Sequence, residues 1–322
     1  MKDSPARARP KKKKKKKGRI MQLIEYAAVS LLLLLPRAVP QGFVHAVSRA
    51  LGLLFFRLVS KRRTIALSNL RAAFGTKDEA ELQALARESF ASFFLTYFEI
   101  VRFRGLFSSD RAAETIEKSS GGVQILFRKA RRIHDESKGC IFVTPHIGNW
   151  ELLPHVSGAV GIPLVVVVRP LDNPYLEKLL YEKRTDSGQM IIPKRNALFA
   201  LQKTLQQGKS VGMLPDQSTM HGIVVDFFGR EAFTTPVPAI LAVTYKRPIV
   251  VVACCRSRDV ARFEGVVSDP IFPGEYTSER DEIRRLTEEM NRAMEVIIRR
   301  YPEQYLWMHN RWKTYKKKEF LR

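Results

Sequence analysis

The chain has 322 residues, of which 45% are apolar and 10% aromatic, and it carries a formal net charge of +23. This apolar content is enough for one substantial core, or for one large domain with an appendage, so a disordered tail protein is excluded. The charge is concentrated at the ends, where residues 1–19 contribute +10 and residues 311–322 contribute +5. A balance this basic favours acidic partners, either anionic lipid or nucleic acid.

The N-terminal segment changes composition twice. Residues 1–19 include an unbroken run of seven lysines at 11–17 and predict a disordered basic arm. Residues 20–60 predict a membrane anchor, with a mainly apolar helix at 20–35 and an interfacial amphipathic helix at 43–59. The first helix would be about 24 Å long, which is short of the ~30 Å hydrocarbon core of a bilayer.

The basic flank predicts how this anchor is oriented. Lysines beside an anionic leaflet contribute about 1 kcal/mol each and favour an N-terminus on the cytoplasmic side. A secretory signal peptide is the alternative interpretation, but no clear small-x-small cleavage site follows the leucines. Nucleic-acid binding is not expected, because a polylysine run next to sixteen lipophilic residues favours a membrane and no zinc-knuckle or RNP-like pattern is present.

Residues 61–322 predict a single α/β domain. Two helices, at 61–74 and 78–103, are followed from residue 139 by alternating strand-like and helix-like segments. The predicted strands are 140–143, 164–168, 190–192, 210–214, 223–228 and 249–254, and predicted helices begin near residues 150, 174, 196, 238 and 279. This alternation predicts an α/β fold with a largely parallel sheet flanked by helices. The cysteines, Cys140, Cys254 and Cys255, lie in apolar runs and indicate a reduced, cytosolic setting.

A candidate catalytic pair follows the first predicted strand of this domain. His146 and Glu151 are five positions apart, in a loop and in the first turn of the next helix respectively, so their side chains can meet. An imidazole can take a proton from a hydroxyl group while a carboxylate on its other nitrogen fixes the tautomer. Because no serine accompanies the pair, the hydroxyl would come from the substrate. The plainer alternative is a turn followed by a helix start that favours an acidic residue.

Polar residues also follow the neighbouring strands, at the sheet edge where ligands collect in parallel folds. Arg169 and Asn173 follow the second predicted strand, Asp216 follows the fourth, and Arg184 lies on the helix between them. Each has a plainer interpretation as a strand-end charge, a turn residue or a solvated helix charge. No metal site is predicted, because the sequence has no His-Glu-x-x-His motif or other ligand pattern.

Six sequence motifs, called blocks below, follow one another along the chain. They are His-x4-Glu at 146–151, Arg-Pro-x-Asp-Asn-Pro at 169–174, Arg-Thr-Asp-Ser-Gly at 184–188, Pro-Asp-Gln at 215–217, Phe-Phe-Gly with Thr-Thr-Pro at 227–236, and Pro-Glu-Gln-Tyr-Leu-Trp-Met-His-Asn-Arg-Trp-Lys at 302–313. In this order they resemble the bacterial lipid A biosynthesis acyltransferases, the late lauroyl and myristoyl transferases of the lysophospholipid acyltransferase superfamily. The likeness spans residues 20 to 315 and leaves out the lysine-rich extension.

The resemblance implies a membrane-bound enzyme that works at the cytoplasmic face of the bacterial inner membrane. It would move a fatty acyl chain from acyl carrier protein onto a hydroxyl group of a glycolipid, with the acyl thioester as donor substrate and no further cofactor. Its implied partners are therefore acyl carrier protein, the glycolipid acceptor and an anionic membrane surface.

The resemblance also implies roles for individual residues. By position, His146 would be the general base, Glu151 its acidic partner, Arg184 a phosphate or oxyanion clamp, and Asp216 a group that holds Arg184 or the substrate sugar, while Arg169 and Asn173 belong to a neighbouring block. Phe227 and Phe228 are candidates for the wall of an acyl channel.

Two other functions stay open at this level. The acceptor could be a different lipid, such as a phosphatidylinositol mannoside, an ornithine lipid or a lysophospholipid. A function of another class is a membrane-docked basic protein that binds anionic lipid or nucleic acid without catalysis.

Overall fold

The N-terminal part of the chain is helical. The computed structural model describes residues 18–103, 123–168, 173–181, 190–193, 197–257 and 263–315. Its first helices are α1 (Arg19–Ala38), α2 (Gln41–Leu58), α3 (Ser60–Ala73) and α4 (Glu79–Phe103). These correspond to the helices predicted from the sequence, with ends that differ by at most three residues. Most of the predicted basic arm, residues 1–17, lies outside the described residues.

A six-stranded sheet forms the centre of the fold, in the order β3-β2-β4-β1-β7-β8. The strands are β1 (Ile141–Val143), β2 (Leu164–Val168), β3 (Met190–Pro193), β4 (Ser210–Met213), β7 (Ile249–Arg256) and β8 (Phe263–Val267). All neighbouring pairs are parallel except β7 and β8, which are antiparallel. The prediction of a largely parallel sheet in an α/β fold is confirmed.

Two features of the strands differ from the sequence prediction. The segment predicted as a strand at 223–228 is β5 (Ile223–Phe227), which pairs with β6 (Arg230–Thr234) in a separate antiparallel hairpin. The chain reverses there because Phe228 and Gly229 both adopt positive φ angles, of 57° and 72°. The edge strand β8 is missed from the sequence because its residues are only half-buried and lack a continuous apolar run.

Helices cover both faces of the central sheet. They are α5 (Val123–Ser137), α6 (Leu152–Ala159), α7 (Pro174–Tyr181), α8 (Ala197–Gln206), α9 (Val237–Tyr245) and α10 (Glu279–Arg300). Because side chains alternate along a strand, Ile141 and Val143 of β1 face the main core with α3, α4, α8, α9 and α10. Phe142 points to the opposite face, where it packs with residues of α5.

The longest amphipathic helix, α10, is defined by its ends as well as by its apolar stripe. Ser278 precedes it and accepts a hydrogen bond from the backbone N–H of Asp281, which satisfies one of the free donors of the first turn. Acidic residues lie in its first turn and Arg299 and Arg300 in its last, as the helix dipole favours. Its buried side, including Leu286 and Met290, packs in the main core.

The segment predicted as a membrane anchor is helical throughout. Among the described residues, no single helix is long and apolar enough to cross a membrane. The consecutive helices α2 and α3 meet that requirement only when taken together, and they are bent by 98° at their junction. Several apolar side chains of α1 and α2 are exposed to solvent, namely Ile20, Met21, Leu23, Ile24, Leu31, Phe43, Leu54 and Leu58.

Candidate active site

His146 and Asp216 meet at the carboxyl ends of two adjacent parallel strands. In the pairing of β1 with β4, Val143 lies opposite Met213, and each of the two polar residues follows three positions later. His146 Nδ1 lies 2.7 Å from Asp216 Oδ1, and the backbone N–H of His146 donates to Oδ2 at 2.9 Å. The carboxylate therefore holds both the ring and the backbone of the histidine.

The second ring nitrogen of His146 is available as a base. Gln217 Nε2 lies 3.3 Å from His146 Nε2, and an amide nitrogen can only donate. The ionised Asp216 carboxylate can only accept, so the hydrogen-bond network assigns the ring proton to Nδ1 and a lone pair to Nε2. The imidazole side chain is 17% exposed and the Asp216 side chain 2%, so a substrate can reach the ring but not the carboxylate.

The ionisation state of Asp216 suits a carboxylate that orients the imidazole of His146. Burial acts to raise the pKa of Asp216, but the charge of His146, the hydrogen bonds from His146 and the charge of Arg311 outweigh it and hold the pKa below its ordinary value. Asp216 is therefore ionised at neutral pH. A carboxylate on Nδ1 stabilises the imidazolium that forms when Nε2 takes a proton. Burial, together with the neighbouring Asp216, raises the pKa of Tyr305 well above its ordinary value, so this phenol stays neutral beside the pair.

The carboxylate that is paired with His146 Nδ1 is Asp216, which was not predicted as the partner of the imidazole. It lies there because the sheet register brings the end of β4 next to the end of β1. Gly148, with a φ of 58°, turns the chain in the left-handed sense before Glu151, which then lies half-buried at the start of α6. The role of Glu151 itself stays a prediction.

Of the remaining predicted site residues, the structure describes Asn173. Asn173 is buried and tied to α1, where its Nδ2 donates to the carbonyl of Gln22 at 2.9 Å and to Glu25 Oε2 at 3.2 Å. Its Oδ1 accepts from the first backbone N–H groups of α7. Asn173 is therefore a helix cap that joins two helices. Arg169 and Arg184 lie outside the described residues, so their roles stay predictions.

The described part of the chain contains no cluster of metal ligands and no exposed thiol. No cluster of three or more histidine, cysteine or acidic residues that could hold a metal ion occurs there. The cysteines are unbridged and buried. Burial raises the pKa of Cys140 and of Cys254 to about 12, so neither supplies a thiolate at neutral pH.

A half-open apolar cavity lies next to Trp150. It is formed between α5, α6 and the face of the sheet that carries Phe142, and its volume is about 60 Å³. Thr144 and Leu214, which lie two positions before His146 and Asp216 respectively, form part of its wall. Trp150 also lines the cavity, and its ring contacts His146 edge-on with 5.3 Å between centroids. The cavity therefore reaches the site through Trp150.

Phe227 and Phe228 do not line this cavity. Both are buried in the main core, where their rings pack against Phe74, Trp307 and Trp312. The aromatic side chains predicted as a channel wall are therefore core residues in this fold.

Several residues near the site were not singled out from the sequence. Gln217 and Arg311 stand in the recognised blocks, but nothing in the spacing indicates that the first faces the imidazole or that the second is buried. Arg311 donates to the carbonyl of Phe233 and to Thr234 Oγ1, within the core beneath Asp216. Glu99 could have been noticed in the sequence, because a lone carboxylate after a phenylalanine-rich stretch indicates a buried charge.

Comparison with known proteins agrees with the blocks. Residues 11–314 match the family described as bacterial lipid A biosynthesis acyltransferase. The match begins at residue 11, whereas the likeness found from the sequence blocks begins at residue 20. The family match therefore includes part of the lysine-rich extension.

Three relatives from Escherichia coli (strain K12) illustrate the similarity. The chain is 26% identical to a lipid A biosynthesis lauroyltransferase over 278 residues, which is 85% of this chain and 87% of the relative. It is 26% identical to a palmitoleoyltransferase of the same pathway over 259 residues, 80% of each chain, and 24% identical to a myristoyltransferase over 293 residues, 86% of this chain and 83% of the relative. Because the family match covers nearly its whole length, the chain belongs to the bacterial lipid A biosynthesis acyltransferases.

Proposed function

We propose that the protein is an O-acyltransferase that moves a fatty acyl chain from an acyl carrier protein thioester onto a hydroxyl group of a lipid A precursor. The observation that carries this proposal is the His146–Asp216 pair, which leaves a lone pair on Nε2 and whose imidazole contacts Trp150, a residue of the cavity wall. The relatives named for lipid A biosynthesis support the substrate class.

In the proposed reaction, His146 Nε2 removes the proton from the acceptor hydroxyl, and the oxygen attacks the thioester carbonyl. The tetrahedral intermediate then collapses with cleavage of the carbon–sulfur bond, and the imidazolium returns its proton to the leaving thiolate. General-base help of this kind contributes about 10² to 10⁴ in rate. Gln217 occupies the position beside Nε2 that the acceptor hydroxyl would take.

The oxyanion and the acceptor phosphate need cationic or N–H donors. Arg184 is proposed as this clamp, because a guanidinium binds such groups with two parallel hydrogen bonds. Arg169 is proposed to assist from the neighbouring block. Glu151 stays in the proposal as an acidic residue of the same loop, acting on the substrate or the loop rather than on Nδ1.

The apolar cavity is proposed to hold the acyl chain during transfer. Its wall is formed almost entirely by aliphatic and aromatic side chains from β1, β2, β4, α5 and α6. Each methylene removed from water contributes about 0.8 kcal/mol, so a cavity of this character favours long acyl donors.

The surface formed by α1 and α2 is proposed to dock on the cytoplasmic face of the inner membrane. Leu54 and Leu58 of α2 are exposed and are neighbours in sequence of the residues that line a groove between α2 and α4, which contains Arg49, Arg57 and Arg87. Arg49 is paired with Glu88, whereas Arg57 has no acidic partner among the described residues. This combination suits anionic headgroups, and the basic body would also attract an acidic carrier protein.

Substitution of His146 by alanine tests the chemistry. We expect transfer from acyl carrier protein to a lipid A precursor to fall by about 10² to 10⁴, with the unfolding temperature and membrane association unchanged. His221→Ala, in an exposed turn, is the matched histidine control. Wild-type turnover in His146→Ala would overturn the proposed base.

The acceptor is tested separately in cells. Lipid extracts from a strain that lacks the protein should show lipid A without one secondary acyl chain. Unchanged lipid A together with an altered phospholipid or aminolipid would instead assign the enzyme to one of the other acceptors.

A further inference from the structure

A buried ion pair lies directly behind the loop that carries His146. Glu99 of α4 and Arg256 at the end of β7 form two parallel hydrogen bonds, with Nη2–Oε2 at 2.6 Å and Nε–Oε1 at 2.9 Å. Their side chains are 6% and 10% exposed. Neither residue contacts the imidazole in the described hydrogen bonds, and the proposed reaction uses neither of them.

The surroundings of this ion pair are polar and well paired. Arg256 also donates to Ser92 Oγ at 3.0 Å and to Thr96 Oγ1 at 2.7 Å. Ser92, Thr96 and Glu99 recur at helical spacing and so share one face of α4. Replacing a buried ion pair by well-packed apolar side chains is often neutral or stabilising, because burying two charges has a high desolvation cost. Stability alone is therefore a weak reason for this arrangement.

Side chains of the network hold the catalytic loop from one side. Thr96 Oγ1 donates to the carbonyl of Gly148 at 2.8 Å, and Asn149 Nδ2 donates to Glu99 Oε2 at 2.8 Å. Asn149 is fully buried, and its Oδ1 has no hydrogen-bond partner. The contact with Glu99 is thus the described hydrogen bond that fixes the Asn149 side chain, three residues after His146.

The backbone of Arg256 holds the same loop from the other side through Gln304. The Gln304 side chain accepts from Arg256 N and donates to Arg256 O, both at 2.8 Å. The Gln304 carbonyl in turn accepts from Gly148 N at 3.2 Å, and the N–H of Leu306 donates to the carbonyl of His146 at 3.0 Å. Gly148, two residues after the histidine, is therefore anchored on both sides by Thr96 and Gln304, which both contact Arg256.

From these contacts we infer that Glu99 and Arg256, acting through Thr96 and Asn149, are positioning residues that hold the His146 loop in the geometry needed for proton transfer. The inference rests on the proposed role of His146. A displacement of about 1 Å at a reacting group can cost on the order of 10²-fold in rate, so loss of the network should slow chemistry without weakening substrate binding.

Thr96→Val and Glu99→Gln test the inference in the full-length protein. We expect kcat to fall about 10-fold or more for Thr96→Val and by about 10- to 100-fold for Glu99→Gln, with KM for the acyl donor unchanged within about 2-fold. Thr287→Val is the matched control, because Thr287 is equally buried and its hydroxyl also donates to the carbonyl four residues earlier. It lies on α10 and should keep wild-type kcat.

A His146→Ala background separates positioning from general stability. If Thr96 and Glu99 act through the histidine, adding either substitution to His146→Ala should cause no further loss of the residual rate. An equal loss in both backgrounds, or an equal loss in the Thr287 control, would overturn the inference. An inactive His146→Ala beside fully active Thr96→Val and Glu99→Gln would overturn the positioning inference alone, whereas an active His146→Ala would overturn the proposed function.

Discussion

The two sides of the His146 loop are built in opposite ways. Behind the loop, the side chains of Asp216, Glu99 and Arg256 are held by short hydrogen bonds and are nearly inaccessible to solvent. In front of it, Trp150 borders a half-open cavity whose wall has almost no polar surface. The back of the loop therefore fixes one geometry, whereas the front presents an apolar surface that many chain conformations can contact.

This contrast divides the expected effects of substitutions into two kinds. A change behind the loop should lower turnover for every acyl donor, because it alters the base that all donors share. A change in front should alter which donors are used, because it alters only the space for the acyl chain.

Asp216→Asn should have the largest effect and acts behind the loop. An amide can donate to Nδ1 and so favours the tautomer with its proton on Nε2, which blocks the base. We expect kcat to fall by about 10² to 10⁴ for all donor chain lengths. Asp269→Asn, at an exposed ion pair with Lys129, is the control.

Glu151→Gln belongs in the same experiment. If Asp216→Asn retains turnover while Glu151→Gln collapses it, Glu151 is the orienting carboxylate after all, and the division proposed for this site fails.

Gly148→Ala should have the next largest effect. A Cβ at this position would lie 2.2 Å from the carbonyl oxygen of Cys254, and the φ of 58° is strained for alanine. The loop must therefore move, and we expect kcat to fall by about 10- to 100-fold together with a lower unfolding temperature.

Gly229→Ala is its matched control, since Gly229 has a φ of 72° but nothing within 4 Å of the added carbon. An equal loss of activity in both variants would show that backbone strain, rather than crowding behind the loop, is responsible.

Gly212→Val should have a smaller and selective effect in front of the loop. Gly212 lines the cavity from β4, and its added Cβ would lie 3.3 Å from Val166 Cγ2. Because one methylene in an apolar pocket is worth about 1–3 kcal/mol, we expect kcat/KM for the longest donors to fall at least about 10-fold relative to the shortest. Gly212→Ala should give a graded, weaker shift. A uniform loss for all donors would place the acyl chain elsewhere.

His134→Gln should have the smallest effect and concerns stability only. His134, on α5 behind the cavity wall, is hydrogen-bonded through Nδ1 to Ser210 Oγ, which accepts from the N–H of Cys140. Burial lowers the pKa of His134 from 6.5. Below that value the unfolded chain binds more protons than the folded one, so stability is lost as the pH falls towards the folded pKa.

The variant should therefore lose less stability than the wild type as the pH falls from about 7 to about 5, which unfolding temperatures measured across this range will show. Its kcat at neutral pH should be unchanged. A pH dependence of stability identical to that of the wild type would assign the acid sensitivity to other groups, such as His45 or His309, whose pKa values burial also lowers.

The sequence predicts the layers of this fold well because its buried strands and amphipathic helices differ in period. The strand Leu164–Val168 and the helices Pro174–Tyr181 and Glu279–Arg300 begin where their turn and capping residues predict. The hairpin of β5 and β6 is not predicted, because the reversal at Phe228 depends on a positive φ that the sequence there does not signal.

The site is only partly predictable for a related reason. His146 is found from its motif, but its carboxylate partner depends on which strands are neighbours in the sheet, and the order β4-β1-β7 cannot be read from spacing. Glu99 and Arg256 are 157 positions apart and meet only after α4 packs behind the sheet. Helical and strand periods carry no information on such long-range pairs.

The His146–Asp216 pair joins residues 70 positions apart through the alignment of two strands that are not consecutive in the chain. Such an alignment exists only after the connection between the two strands has folded and the strands have paired in register. A nascent or partly collapsed chain would therefore lack the paired imidazole even with every side chain present. Under the proposed function, premature hydrolysis of a thioester donor would then be avoided during biosynthesis, because assembly of the sheet itself creates the base.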